Sequence, residues 1–161
     1  MTSRPALENY LPADVPSLML PFSDKVLLMP TVTVAEIVGY ARPEPIADAP
    51  DWLLGRFSWR NQQVPMLSLE LLTGQALPDA GRYSRVAVLN HTGISDELPF
   101  IAVPTVGIPK LERVTEEQLT MQEDGPANSF EKARVNLNGE DLVIPEVASL
   151  EQAYLDWQRS S

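Results

Sequence analysis

Val34-Ala35-Glu36-Ile37-Val38-Gly39-Tyr40, then Pro50-Asp51-Trp52-Leu53-Leu54-Gly55-Arg56-Phe57-Ser58-Trp59-Arg60, then Val64-Pro65-Met66-Leu67-Ser68-Leu69 make up most of residues 34–70. Apolar, strand-forming residues alternate here with a Glu, a Gly, an Arg and a Pro, and the segments are separated by short connections. Phe57 and Trp59 fall on one face of a strand by the period of two. Thr31 to Val38 is rich in β-branched residues and reads as a strand whose far end, interrupted by Glu36, could turn helical. The pattern is that of an interaction surface on a β-barrel, with no visible catalytic apparatus.

Turn signals recur on both sides of this stretch. Ser17–Phe22 and Val26–Met29 flank Ser23-Asp24-Lys25 and predict a hairpin. Residues 41–50 hold Pro43, Pro45 and Pro50 and predict an extended connection. Asn61-Gln62 is placed as the turn into Val64–Leu69, and Glu70–Gly74 as a helical turn stopped by Gly74. Arg85–Leu89 and Phe100–Val106 read as strands, the second broken at Pro104, with a shorter one at Leu111–Val114. Thr115 and Gln118 form a capping-box pattern. Asn138-Gly139 between Ala133–Leu137 and Leu142–Ile144 is the strongest hairpin signal in the chain. Ser149–Arg159 reads as a helix capped by Ser149 and Gln152, with Leu150, Ala153, Tyr154 and Trp157 on one face. Nine or ten short strands at this spacing predict an all-β barrel or sandwich with short helices and a C-terminal helix.

Composition narrows the function. The 161 residues suit one domain with a single substantial core. Fifteen prolines against eight glycines favour many short elements over long helices. The formal charge of −10 opposes binding to phosphate backbones and to anionic membrane surfaces. It suits protein partners of cationic or mixed charge. The chain has no Cys, which removes disulfides, thiolate metal sites and Cys nucleophiles together. Residues 1–16 read as a flexible, proline-punctuated tail without the apolar core of a secretory signal. No run of eighteen apolar residues occurs, so no helical membrane span is expected. These features predict a cytoplasmic location.

Chemistry-bearing residues are few. His91, the only histidine, ends a strand and is read as structural or solvated, since metal sites need several ligands. The pairs Glu116-Glu117, Glu123-Asp124 and Glu140-Asp141 sit at turns or a helix start, where adjacent carboxylates point apart. They would serve the rival reading, a small acidic β-barrel enzyme with a carboxylate pair in its mouth. A small-ligand-binding β-barrel with a deep apolar cavity is a third reading. Phosphate, dinucleotide, nucleophile-elbow and zinc-protease motifs are all absent. No catalytic residue, metal or cofactor is expected. Trp52, Trp59 and Trp157 read as core anchors, with Trp59-Arg60 also a candidate for a partner interface. Glu36, in an apolar strand end, must reach solvent, meet a partner, or pair with Arg60 or Arg42.

Val34, Glu36, Ile37, Pro50, Gly55, Arg60, Val64, Pro65 and Leu69 also match, in order and spacing, the pattern of the CheW-like adaptors of bacterial chemosensory arrays. The likeness covers most of the chain, here read as a CheW-like domain over residues 17–159. It is looser at Arg85–Leu89, Phe100–Val103 and Leu142–Leu150. Asn61 stands where the family has Gly, Ser68 and Glu70 where it has Asp and Arg, and Pro104-Thr105 where it has Val-Asp. The chain thus resembles a divergent paralogue similar to the ChpC-type adaptor of a twitching-motility system. The resemblance implies two five-stranded SH3-like barrels and no enzymatic activity. It implies a link between the cytoplasmic tip of a methyl-accepting chemoreceptor and the regulatory domain of a CheA-type histidine kinase. Val34, Glu36, Ile37 and Arg60 would lie on or near the receptor-facing groove, and Gly55 near the kinase-facing end, where the missing Cβ permits close approach.

Overall fold

The computed structural model describes residues 15–160, which form eleven strands and two α-helices. The strands are β1 (Val15–Pro21), β2 (Val26–Pro30), β3 (Val34–Gly39), β4 (Leu53–Trp59), β5 (Gln62–Leu67) and β6 (Arg85–Asn90). They continue with β7 (Phe100–Thr105), β8 (Lys110–Val114), β9 (Leu119–Met121), β10 (Glu131–Leu137) and β11 (Glu140–Pro145). The helices are α1 (Leu69–Leu72) and α2 (Val147–Ser160). The tail reading for residues 1–14 lies outside the described residues. Val15 and Pro16 already pair with Val114 and Arg113 in a ladder.

The strands form two sheets. The first has the order β8-β1-β2-β11-β10-β9, and the second β3-β6-β7-β5-β4. The predicted hairpins are present: β1 pairs antiparallel with β2, β4 with β5 and β10 with β11. The first sheet thus has six strands where the resemblance implied five. The addition is the three-residue β9, which pairs with β10 through Leu119↔Leu137. It is too short for the period of two to stand out in sequence.

Strand alternation builds three cores. In β6, Val86 and Val88 face one cluster while Ala87 and Leu89 face another. In β2, Leu28 points one way and Leu27 and Met29 the other. One face of the first sheet encloses Met19, Leu28, Val114, Val135, Leu137 and Leu142. One face of the second encloses Phe57, Trp59, Val64, Met66, Val86 and Val88. The outward faces meet around Leu20, Leu27, Leu67, Leu89, Ile101 and Val103, covered by Leu150 and Leu155 of α2. A one-residue slip in β6 would exchange two of these cores, so its register is strongly specified.

The edge strands of the second sheet meet. Glu44, beyond β3, pairs antiparallel with Arg56 of β4 through two backbone hydrogen bonds of 2.9 and 2.8 Å. Gly55 makes this possible. Its φ is +146°, and a Cβ there would stand 2.3 Å from the Glu44 carbonyl oxygen. Closure wraps this sheet into a small barrel around its own core. The two sheets, each around its own cluster, make up the twin-barrel architecture.

Local departures from expectation have identifiable causes. The helical turn near Thr31–Val38 comes first, as a 3-10 turn at Thr31–Thr33, and the strand follows. The β4–β5 turn is Arg60-Asn61, one residue earlier than expected, both in the left-handed region at φ 49° and 62°. That is the geometry a two-residue hairpin of this twist demands. Pro104 does not break β7. β5 runs parallel to β7 in register Met66↔Ala102 and ends at Leu67, so the ladder on that side has stopped by Pro104. Helix α2 starts at Val147, with the Ser149 N–H donating to the Glu146 carbonyl. The Gln152 amide donates forward to Asp156 at 2.8 Å and forms no cap with Ser149.

Candidate interaction site

Three residues singled out from sequence converge at the barrel closure. Glu36, on edge strand β3, accepts from the Trp59 indole N–H at 2.9 Å and from Arg60 Nε at 3.1 Å, both through Oε1. A second guanidinium nitrogen of Arg60 stands 3.1 Å from the same oxygen. The Arg60 guanidinium carbon lies 5.4 Å from the Trp59 ring centroid. Hydrogen bonding by the Trp59 indole, then by Arg60, holds the Glu36 carboxyl below the usual carboxylate range, against a smaller opposing effect of burial. Of the two partners weighed for Glu36, Arg60 is the one used.

Trp59 has two roles in this arrangement. Its ring is buried in the second barrel, edge-on to Phe100 at 4.8 Å, while its N–H reaches the rim. Arg60 keeps 66% of its side chain exposed and Glu36 38%. The cluster therefore ties β3 to β4 and still presents a charged fork and a carboxylate to solvent. The hairpin turn dictates where Arg60 stands, because the left-handed Arg60-Asn61 pair ends β4 beside the β3 edge.

Val34 and Ile37 are half-buried against the central core. The most exposed large apolar residue beside β3 is Val32, at 80% exposure on the 3-10 turn just before the strand. Val32 lines a cleft of about 380 Å³ together with Met29 and Pro30 of the first sheet and His91 and Thr92 after β6. Ile144, Glu146 and Val147 complete its far wall, with Lys132 also on it. The cleft thus draws on both barrels. Asn90 donates to the Val32 carbonyl at 2.9 Å and fixes the turn that carries Val32. On β8, Leu111 is 68% exposed and pairs with Leu18, which packs on the central core.

Gly55 lies at the other part of the closure. The backbone it admits is the chain's own Pro43-Glu44 segment. His91 is exposed, its N–H donating to the Pro99 carbonyl at 3.1 Å. The three acidic pairs lie exposed at turns and strand ends of the first sheet. Among the described residues no group of three or more His, Cys, Asp or Glu side chains could hold a metal ion. Both barrel interiors are filled by side chains.

Sequence reasoning missed three buried carboxylates. Glu131 takes a two-point contact from Arg134 (Nε 2.8 Å, Nη2 2.9 Å) and the Ala127 N–H at 2.8 Å, with Lys25 Nζ at 3.5 Å. The Arg134 hydrogen bonds lead in lowering its pKa to about 2. Glu70, in the first turn of α1 behind the N-cap Ser68, accepts from the Ser23 N–H at 3.3 Å and so ties the β1–β2 turn to the second barrel. Glu151 of α2, 1% exposed, accepts from Thr92. Glu131 and Arg134 stand at i and i+3, which is visible in sequence, whereas the partners of Glu70 and Glu151 are 47 and 59 residues away.

A search of curated proteins returns no match. Among solved structures, the scaffolding protein TtCheW from Thermoanaerobacter tengcongensis is similar, with a TM-score of 0.71 over 83% of this chain and 89% of that one. Identity is 12%, so this likeness speaks for the fold. The family model of the CheW-like domain matches residues 17–153, which take in both barrels and the first half of α2. This chain belongs to the CheW-like domain family.

Proposed function

We propose that the protein is a noncatalytic cytoplasmic adaptor that couples the cytoplasmic tip of a methyl-accepting chemoreceptor to the regulatory domain of a CheA-type histidine kinase. The observation that carries this reading is the cleft between the barrels, with exposed Val32 on its rim and the Glu36–Trp59–Arg60 cluster just beyond β3's start. A groove of this kind suits an amphipathic helix, whose apolar stripe fills it while its polar flanks meet charges at the rim. In this reading exposed Val32 forms the apolar rim over Met29, Pro30 and Val147, and Val34 and Ile37, half-buried on the central core, support it from β3. Glu36 and Arg60 set the register of the helix by charge. Gly55 acts on the kinase-facing end indirectly, by letting Pro43-Glu44 lie against β4 and shape that surface.

The resemblance to the ChpC-type adaptor extends the proposal to twitching motility, which a surface-motility assay of a deletion strain reads. The direct test is co-purification with a receptor-tip fragment and with a kinase regulatory domain, separately and together. The expected result is retention of each alone and a ternary complex of all three. Arg60→Ala is expected to weaken retention of the receptor tip with the fold intact, and unchanged retention would remove Arg60 from the site.

A further inference from the structure

Thr92 is pinned from outside its own loop. Its backbone N–H donates to Glu151 Oε2 at 3.0 Å, and its hydroxyl donates to Oε1 of the same carboxylate. One residue thus engages both oxygens of a side chain that is 1% exposed. Thr92 lines the inter-barrel cleft beside Asn90 and His91. The loop that follows returns through Leu98, which is buried in the central core, to Pro99, whose carbonyl accepts from the His91 N–H. The loop is therefore held at its base by one backbone hydrogen bond and one apolar anchor, and on the cleft side by Glu151.

Helix α2 supplies Glu151 from the face that also carries Leu150 and Leu155 into the core, while Val147, at its first turn, lines the cleft. The helix thus forms one wall of the cleft and, through Glu151, holds the opposite wall in place. A buried carboxylate spent on a loop residue is costly unless its acceptors are filled. Here a single Thr fills both oxygens, which makes the position of that Thr specific.

We propose that Glu151 is a positioning residue for the cleft. Through Thr92 it sets the width of the cleft, so that docking of α2 and occupancy of the cleft are coupled. This rests on the reading of the cleft as the receptor-tip dock. An occupant that presses on the Thr92 wall stabilises the seating of α2, and loosening α2 weakens the occupant by the same factor.

The test uses the full chain, a receptor-tip fragment as the probe, and the variants Thr92→Val, Thr92→Ser and Glu151→Gln. Thr92→Val keeps the N–H and removes the hydroxyl, and Thr92→Ser restores a hydroxyl. Hydrogen exchange on the free protein is expected to show faster exchange at residues 91–98 in Thr92→Val and Glu151→Gln, with the amides of β6 and β7 unchanged. Tip affinity is expected to fall about tenfold in both, the scale of one lost hydrogen bond to a carboxylate. Thr92→Ser is expected to recover most of it. A purely structural role for Glu151 would lower the unfolding midpoint while leaving affinity unchanged in the folded variants, and that result overturns the proposal. So does full affinity in a variant whose loop exchanges fast. If the parent protein itself fails to bind the tip, the adaptor reading fails first, and the exchange data then still report whether Glu151 holds the loop.

Discussion

Replacing Glu131 by Gln separates a buried ion pair from the rest of the fold, and its effect can be worked out as a function of pH. The carboxylate is 2% exposed and faces Arg134 and Lys25, whose side chains are 33% and 10% exposed. Its pKa is lowered from 4.5 to about 2, with the Arg134 hydrogen bonds as the largest cause. A depressed folded-state pKa contributes stability that is present above the unfolded value and lost as pH falls through the folded value. The window therefore runs from about pH 4.5 down to about pH 2. Taken at face value the shift is worth about 3 kcal/mol, and solvent reaching the partly exposed Arg134 reduces this to about 2 kcal/mol. Urea unfolding at pH 7 is expected to show Glu131→Gln less stable than the parent by about that amount, with an unchanged denaturant slope. The difference between the two proteins is expected to shrink to well under half by pH 3. Comparing the pair cancels the titration of the other carboxylates. A difference that stays constant from pH 7 to pH 3 would show that the charge of Glu131 contributes nothing, and the reasoning would fail.

Gly55→Ala forces a Cβ toward the Glu44 carbonyl at a positive φ, and is expected to cost about 2–3 kcal/mol by urea unfolding. It should also speed exchange of the Glu44 and Arg56 amides more than that of β6. Asn61→Val places a β-branched residue in the left-handed turn position and should cost about 1–2 kcal/mol in the same assay, while Asn61→Gly should be tolerated. Trp59→Phe removes the donor that contributes most to lowering the Glu36 pKa. NMR titration should find that carboxyl moved back up toward its ordinary value. Val32→Glu puts a carboxylate on the rim of the cleft at an exposed position, and should lower receptor-tip retention without shifting the unfolding midpoint.

Some of this was legible in the sequence because short-range rules decide it. Asn138-Gly139 takes the left-handed pair that its hairpin requires, with φ of 52° and 93°. Thr115 and Gln118 meet as a capping pair, the Thr115 N–H donating to the Gln118 side chain at 2.8 Å. Gly74 ends α1 at φ 86°. Phe57 and Trp59 share the buried face of β4. What tertiary context decides was not legible. Pro104 looked like a break, because nothing nearby shows that β5 ends beside it. Ser149 looked like a cap, because the local pattern fits equally well two residues into a helix. At the candidate site, Glu36 stands out in the sequence as a carboxylate that needs a partner. The choice of Arg60 over Arg42 depends on the turn that brings the end of β4 to the edge of β3. Glu151 and Thr92 carried no mark, since each is ordinary in its own segment and gains meaning only across the seam.

The order of strands has a consequence for how the molecule is made. The first sheet joins β1 and β2 to β8–β11, while β3–β7 form the second sheet as one uninterrupted stretch between them. As the chain leaves the ribosome, β1 and β2 emerge ahead of β3–β11 and must wait for β11 before Leu27 finds Val143. The inner barrel can close well before that, once β7 is out. Vectorial synthesis therefore favours an early intermediate whose middle is folded and whose leading hairpin is still exposed. The pairing of β11 with β2 then closes the first sheet around a middle that is already folded.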